Sequence, residues 1–148
     1  MFKKIIVGLD GSQQSEVAVR IACDLAKHYE SSLTLMHVPH GQTAAFVVGA
    51  VAGYRAAASM PSFDEVEAAG KQVLDAGLAI AADAGCTAVK THMPHGEPAK
   101  EILAHADEIG ADLIVTGRRG LGGAASLLLG STSQNISHNA KCACLTVA

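Results

Sequence analysis

Thr116, Gly117, Arg118, Arg119 and Gly120 are followed, after nine intervening residues, by Gly130, Ser131, Thr132 and Ser133, a G-x2-G-x9-G-S pattern. Glycine is required where backbone must come close to a ligand or take positive φ, so Gly117 and Gly120 can open room for a sugar and its phosphates. Gly130 to Ser133 reads as the first turn of a helix. Its unpaired N–H groups and the positive end of the helix dipole would make an anion site, and three hydroxyls in a row add donors. Singly, each of these residues is an ordinary turn glycine or N-cap. The spacing of the whole set is what points to phosphate binding. Arg118 and Arg119 could neutralise phosphate, but adjacent side chains on a loop diverge, which leaves at least one of them solvated.

Other chemistries find less support. Gly120, Gly122 and Ala125 spell a dinucleotide fingerprint, which needs an acid about twenty residues on to hold a ribose, yet Asp112 is the last acid in the chain. The Gly70-Lys71 pair is followed by Gln72 within a helix and is no Walker loop. His37 with His40, and His92 with His95, have H-x2-H spacing, but on a strand that spacing sends the side chains to opposite faces, away from any thiol or acid cluster. No residue set therefore predicts a metal site built by the protein, and no G-x-S-x-G or H-E-x-x-H motif predicts a catalytic residue. Asp10 is the one acid expected near the phosphates.

The elements that must position these residues follow from hydrophobic period. Lys3 to Leu9 is a β-branched run closed by Asp10, Gly11 and Ser12, a buried strand and its turn. Gln13 to His28 repeats apolar residues at Val17, Ile21, Ala22 and Leu25 and is a helix with one face on a sheet. Ser32 to Val38 is the second strand, and residues 39 to 61 are Ala- and Gly-rich without clear period. Ser62 and Glu65 form a capping box opening a helix to about Ala84, with Val66, Val73 and Leu78 on its apolar side and Gly85 at its end. Thr87 to Met93 alternates as a strand, Ala99 to Ile109 is helical and stopped by Gly110, and Ala111 to Thr116 is the fourth strand. A loop from Gly117 to Leu129, a helix from Ser131 to Asn139 and a fifth strand from Ala143 to Val147 complete the chain.

Strands alternating with helices predict a doubly wound α/β fold, a five-stranded parallel sheet with helices on both faces. With the order 3-2-1-4-5, a ligand crevice falls outside the carboxyl ends of the two central strands, between Asp10 and Gly117. The length, 148 residues, suits a single domain spanning 1–148. The fifth strand, apolar on both faces and placed at the sheet edge, predicts a homodimer or a higher oligomer through that strand.

Composition narrows the partners. The formal net charge is −3 and the 11 Lys and Arg residues are scattered, so no basic stripe exists for nucleic acid. Aromatic residues are 3% of the chain, which leaves an aliphatic pocket for any base and no aromatic belt for a membrane. The apolar stretch from Ala44 to Ala58 is too short to span a bilayer, and nothing near Met1 resembles a signal peptide. Cys23, Cys86, Cys142 and Cys144 have no disulfide or zinc spacing; reduced thiols in the cytoplasm are expected, with Cys142 and Cys144 as packing residues on one strand face.

The pieces KKIIVGLDGS, LMHV, GEPAKEIL, ADLIVTGRRG and GSTSQNI, together with the glycine motif, resemble the ATP-binding branch of the UspA family of universal stress proteins over nearly the whole chain. That resemblance implies ATP, with AMP or ADP as alternatives. It implies contacts of Asp10 and the backbone of Gly8 and Leu9 with base and ribose, and Val38 at the adenine edge. Thr116 and Gly117 to Gly120 would line ribose and phosphates, and Gly130 to Ser133 would take the β- and γ-phosphates with a magnesium or manganese ion. The implied role is stress-response regulation, in which the nucleotide changes conformation or the choice of a regulated protein. The rival is a nucleotide-dependent hydrolase or transferase with weak ATPase activity on the same fold.

Overall fold

The computed structural model describes residues 1–41, 44, 61–121 and 129–148. Expectations about residues 42–43, 45–60 and 122–128, including Gly122, Ala125 and all but the first residue of the apolar stretch from Ala44 to Ala58, therefore lie outside the described residues. Five strands, β1 (Lys4–Gly8), β2 (Ser32–Met36), β3 (Val89–His92), β4 (Leu113–Gly117) and β5 (Ala143–Val147), form one sheet in the order β3-β2-β1-β4-β5. Every neighbouring pair is parallel, so each connection crosses over a face of the sheet. The crossovers described are α1 (Gln13–Tyr29), α2 (Phe63–Asp83), α3 (Pro98–Ile109) and α4 (Ser131–Asn139).

Strand side chains divide between two cores because they alternate across the sheet. Ile5, Val7, Leu33, Leu35, Leu113 and Val115 pack against Ala18, Val19, Ala22 and Cys23 of α1 and Val73, Leu74 and Ala81 of α2. Ile6, Met36 and Ile114 pack on the other face against Ala99, Ile102 and Ala106 of α3 and Ile136 of α4. Strands buried on both sides must be apolar at every position, which is why β1 and β4 read as continuous runs. The buried stripe of α1 is built mainly of alanines and differs from the expected one: Val17 is exposed, and Ile21 and Leu25 are only partly covered. Small residues win that face because they let the helix sit close to the sheet.

Local signals set the helix ends. Ser62 Oγ accepts the Glu65 amide at 3.3 Å while Glu65 Oε2 accepts the Ser62 amide at 2.7 Å, the expected capping box of α2. Gly110 ends α3 in the left-handed conformation at φ 63°, which only glycine adopts without strain. No described helix is long and apolar enough to cross a membrane.

Candidate functional site

Both central strands end beside one another, since Gly8 of β1 is registered with Thr116 of β4. The chain leaves β1 through Asp10, turns at Gly11 with φ 87°, and enters α1 at Ser12, which caps the helix by accepting the Ser15 amide at 3.2 Å. Asp10 holds this turn. Its Oδ1 accepts from the Ser12 amide at 2.9 Å and from Ser12 Oγ at 2.6 Å, while Oδ2 accepts from the Leu121 amide at 3.1 Å in the loop after β4. One carboxylate therefore ties together the loops leaving the two strands that flank the switch point.

The loop after β4 is fastened at two further points. The Arg118 amide donates to the Val147 carbonyl at 2.6 Å, and the Arg118 carbonyl accepts the Gly130 amide at 2.7 Å. Close approach explains the glycines here. A Cβ on Gly117 would lie 2.8 Å from Gln14 Cβ and 3.1 Å from the Gln14 carbonyl carbon, and a Cβ on Gly120 would overlap Asp10 Oδ2. Neither glycine takes positive φ; among the described glycines Gly11, Gly85, Gly96 and Gly110 do.

Helix α4 starts at Gly130, whose extended backbone supplies no side-chain cap. The first-turn amides of Ser131, Thr132 and Ser133 thus keep the unsatisfied donors that every helix start exposes. The three hydroxyls are not equivalent. Ser133 Oγ donates to the Gly117 carbonyl at 2.6 Å and accepts from Thr116 Oγ1 at 3.2 Å, so it latches α4 to β4 and offers a ligand only its amide.

Between these pieces lies a cavity of about 400 Å³, inside the ~300–1,000 Å³ range of small-molecule sites. Gly8, Leu9, Asp10, Val38, Thr116, Gly117, Arg119, Gly120 and Gly130 through Ser133 all line it. Arg118 does not; its backbone is used in anchoring the loop and its side chain is exposed, leaving Arg119 as the arginine at the cavity. The structure adds residues that the motifs did not mark, namely Gln14 and Ser15 of α1, Pro98 and Ile102 of α3, and His37 and His40 beyond β2. The H-x2-H spacing of these two histidines had carried no functional reading; here both border the cavity. Among the described residues no group of three His, Cys, Asp or Glu side chains could hold a metal.

His37 is 1% exposed, and its Nδ1 lies 2.8 Å from the Leu9 carbonyl. Burial, foremost, and then the nearby His40 push its pKa below the ordinary value, against the opposing pull of the Leu9 carbonyl and Asp10. The unfolded chain thus binds this proton more tightly than the native one, so stability rises with pH between the two pKa values. The full contribution is present above the unfolded value of about 6.5 and is lost as pH falls towards the lowered native value. His92, lowered by desolvation and then by His105, acts in the same direction. Urea midpoints should accordingly drop between about pH 7.5 and about pH 5.5, and His37→Asn should flatten part of that drop; an equal drop in both proteins would refute the assignment.

Comparison with known proteins adds the following. The model of the universal stress protein family matches residues 1–148. The universal stress protein YxiE of Bacillus subtilis is 37% identical over 153 residues, covering 99% of each chain. A universal stress protein UspA from Lactobacillus plantarum superposes with a TM-score of 0.78 at 22% identity over 99% of this chain and 98% of that one. A universal stress protein crystallised in complex with cAMP gives a TM-score of 0.73 at 27% identity, covering 99% and 97%.

Proposed function

The chain belongs to the universal stress protein family, and on that premise we propose that it is a cytoplasmic ATP-binding regulatory protein whose bound nucleotide changes its conformation or its choice of partner. The observation that carries this reading is the uncapped start of α4 facing the same cavity as Asp10, Gly117 and Gly120. Amides at a helix N-terminus, with Arg119 beside them, suit a chain of phosphates. Leu9 and Val38, both buried, supply the apolar walls a base needs. A magnesium or manganese ion would enter as the counter-ion of the phosphates, and Ser131 and Thr132 would offer it hydroxyls from that helix start. AMP or ADP would occupy the same place with fewer phosphate contacts.

Regulation is favoured over hydrolysis by the condition of Asp10. It is the one acid among the described lining residues, and both of its oxygens already accept hydrogen bonds from Ser12 and Leu121. A base so engaged is poorly placed to activate water. At about a hundred times its dissociation constant, ATP with magnesium should stabilise the fold by about 2.7 kcal/mol, a rise in Tm of roughly 5–10 °C for a chain of this size. An unchanged melting curve rejects the reading.

The same proposal includes a homodimer through β5. This strand is one edge of the sheet; Cys144 on it is exposed rather than packed, and Leu145 is half-buried. The Ala143 amide and the Val147 carbonyl both point to the β4 side. Alternation then turns the amides of Cys144 and Thr146 outwards, free to pair with a second copy. Thr146→Pro removes one outward donor without touching the β4 ladder. Sedimentation should find the unaltered protein dimeric and Thr146→Pro monomeric at micromolar concentration; a monomer in both cases discards the edge-strand dimer.

A further inference from the structure

We propose that Cys23 and Cys86 are a peroxide-oxidisable dithiol, a modification site at which the two thiols join in a disulfide that ties α1 to the loop between α2 and β3. Tertiary packing makes the pair, since the two residues stand far apart in the sequence. Cys23 lies on the buried face of α1, 0% exposed, in the core that this helix shares with Val73, Leu74 and Ala81 of α2. Cys86, half-buried, packs against the same core from the chain that leaves α2. One helical turn after Cys23, Lys27 Nζ donates to the Ala84 carbonyl at 2.9 Å and so holds the last turns of α1 to the end of α2. Cys86 is fixed two residues beyond that bond, where its amide donates to the Ala81 carbonyl at 2.8 Å. Its side chain in turn acts on the Cys23 thiol, both by charge and through a side-chain hydrogen bond.

The surroundings give the two thiols different parts. Burial, and then Cys86, push the Cys23 thiol up to about 12, so it stays protonated and shut off from solvent. Cys86 keeps access to water and is the sulfur that meets the oxidant. It attacks hydrogen peroxide, the O–O bond breaks, and Cys86 becomes a sulfenic acid as one water leaves. The Cys23 sulfur then attacks the Cys86 sulfur: the S–S bond forms, the S–O bond breaks, and the hydroxyl departs with the Cys23 proton as a second water. The two thiols together give up two electrons and two protons, and one peroxide is reduced to water. Gly85, at φ 79° and with no heavy atom within 4 Å of where a Cβ would stand, gives Cys86 room to close on its partner. In a reducing compartment such a bond is transient, because free thiols reopen it by exchange.

The test exposes the reduced, folded protein to a small excess of hydrogen peroxide, unfolds it in excess alkylating reagent, and digests the monomer band of a non-reducing gel with trypsin. Cleavage leaves Cys23 on the peptide of residues 21–27 and Cys86 on that of residues 72–90. The two peptides should appear joined, lighter than their sum by two hydrogens, and should separate with dithiothreitol. Cys23→Ala should instead accumulate a Cys86 sulfenic acid that a dimedone probe labels, and Cys86→Ser should leave the Cys23 thiol reduced under the same exposure. In the unaltered protein, Cys86 oxidised alone, either thiol paired with Cys142 or Cys144, or both thiols still alkylated overturns the proposal. Oxidation of Cys23 that persists in Cys86→Ser overturns the order of the two steps. The joined peptides are read from the unaltered protein, so the proposal stands or falls even where a variant does not fold.

Discussion

Gly117→Val should reduce ATP affinity by on the order of a hundredfold, about 2.7 kcal/mol, while leaving a folded α/β protein. The new Cβ would sit 2.8 Å from Gln14 Cβ and 3.1 Å from the Gln14 carbonyl carbon, and the second of these is backbone that cannot rotate away. The end of β4 must therefore move off the first turn of α1, or the valine must tilt into the cavity. Either movement disturbs the Gly117 carbonyl that accepts Ser133 Oγ at 2.6 Å, and with it the aim of the α4 amides. Overpacking of this kind costs about 1–3 kcal/mol of stability, which a chain this size can survive. Calorimetric titration beside a urea melt separates the two effects. Undiminished ATP affinity in a folded Gly117→Val would show that the ligand does not pass this strand end.

Asp10→Ala should carry the second large effect, in stability and binding together. Its two oxygens accept three hydrogen bonds that join the β1 and β4 loops, and alanine leaves the amides of Ser12 and Leu121 without that acceptor. Leaving part-buried donors unpaired costs about 1–3 kcal/mol, and the unfastened loop carries Arg119 and Gly120 away from the cavity. ATP binding should fall by at least about tenfold. Asp10→Asn gives the internal control, since its amide oxygen can still serve Ser12 while its nitrogen cannot accept from Leu121. The variant should fall between the native protein and Asp10→Ala; if it matches Asp10→Ala in both measurements, the bonds to Ser12 contribute nothing to either effect.

Much of the fold was legible in the sequence because its signals are local. The capping box at Ser62 and Glu65, the stop at Gly110 and the β-branched runs of β1 and β4 each specify their element within a few residues. The order β3-β2-β1-β4-β5 was expected from family likeness and crossover handedness, and is the order found. The glycine motif was visible for the same local reason: its residues all belong to the one passage from β4 to α4.

What the sequence did not reveal depends on distant segments meeting. Pro98 and Ile102 line the cavity because α3 packs over Gly8, where a Cβ would come within 3.1 Å of Ile102 Cδ1, and no spacing in either segment announces it. Ser133 looked like one of three equivalent hydroxyls until the position of β4 gave it the Gly117 carbonyl as partner. Arg118 and Arg119 are indistinguishable as letters, and only the backbone bonds of Arg118 to Val147 and Gly130 decide which of them borders the cavity. Val17 was misplaced because the alanine-rich stripe of α1 has a stronger claim on the sheet than its larger aliphatic residues.

In the proposed binding mode the first turn of α4 presents open amides to phosphates within the cavity bounded by Gly117 and Asp10. Titrating ATP and magnesium into uniformly nitrogen-15-labelled protein and following every backbone amide tests it most directly. The largest shifts are predicted at Ser131 and Thr132, with Gly117, Arg119 and Gly120 moving at the same ligand concentrations. ATP binding that leaves the Ser131 and Thr132 amides unmoved, or that shifts residues remote from this cavity instead, would contradict the account.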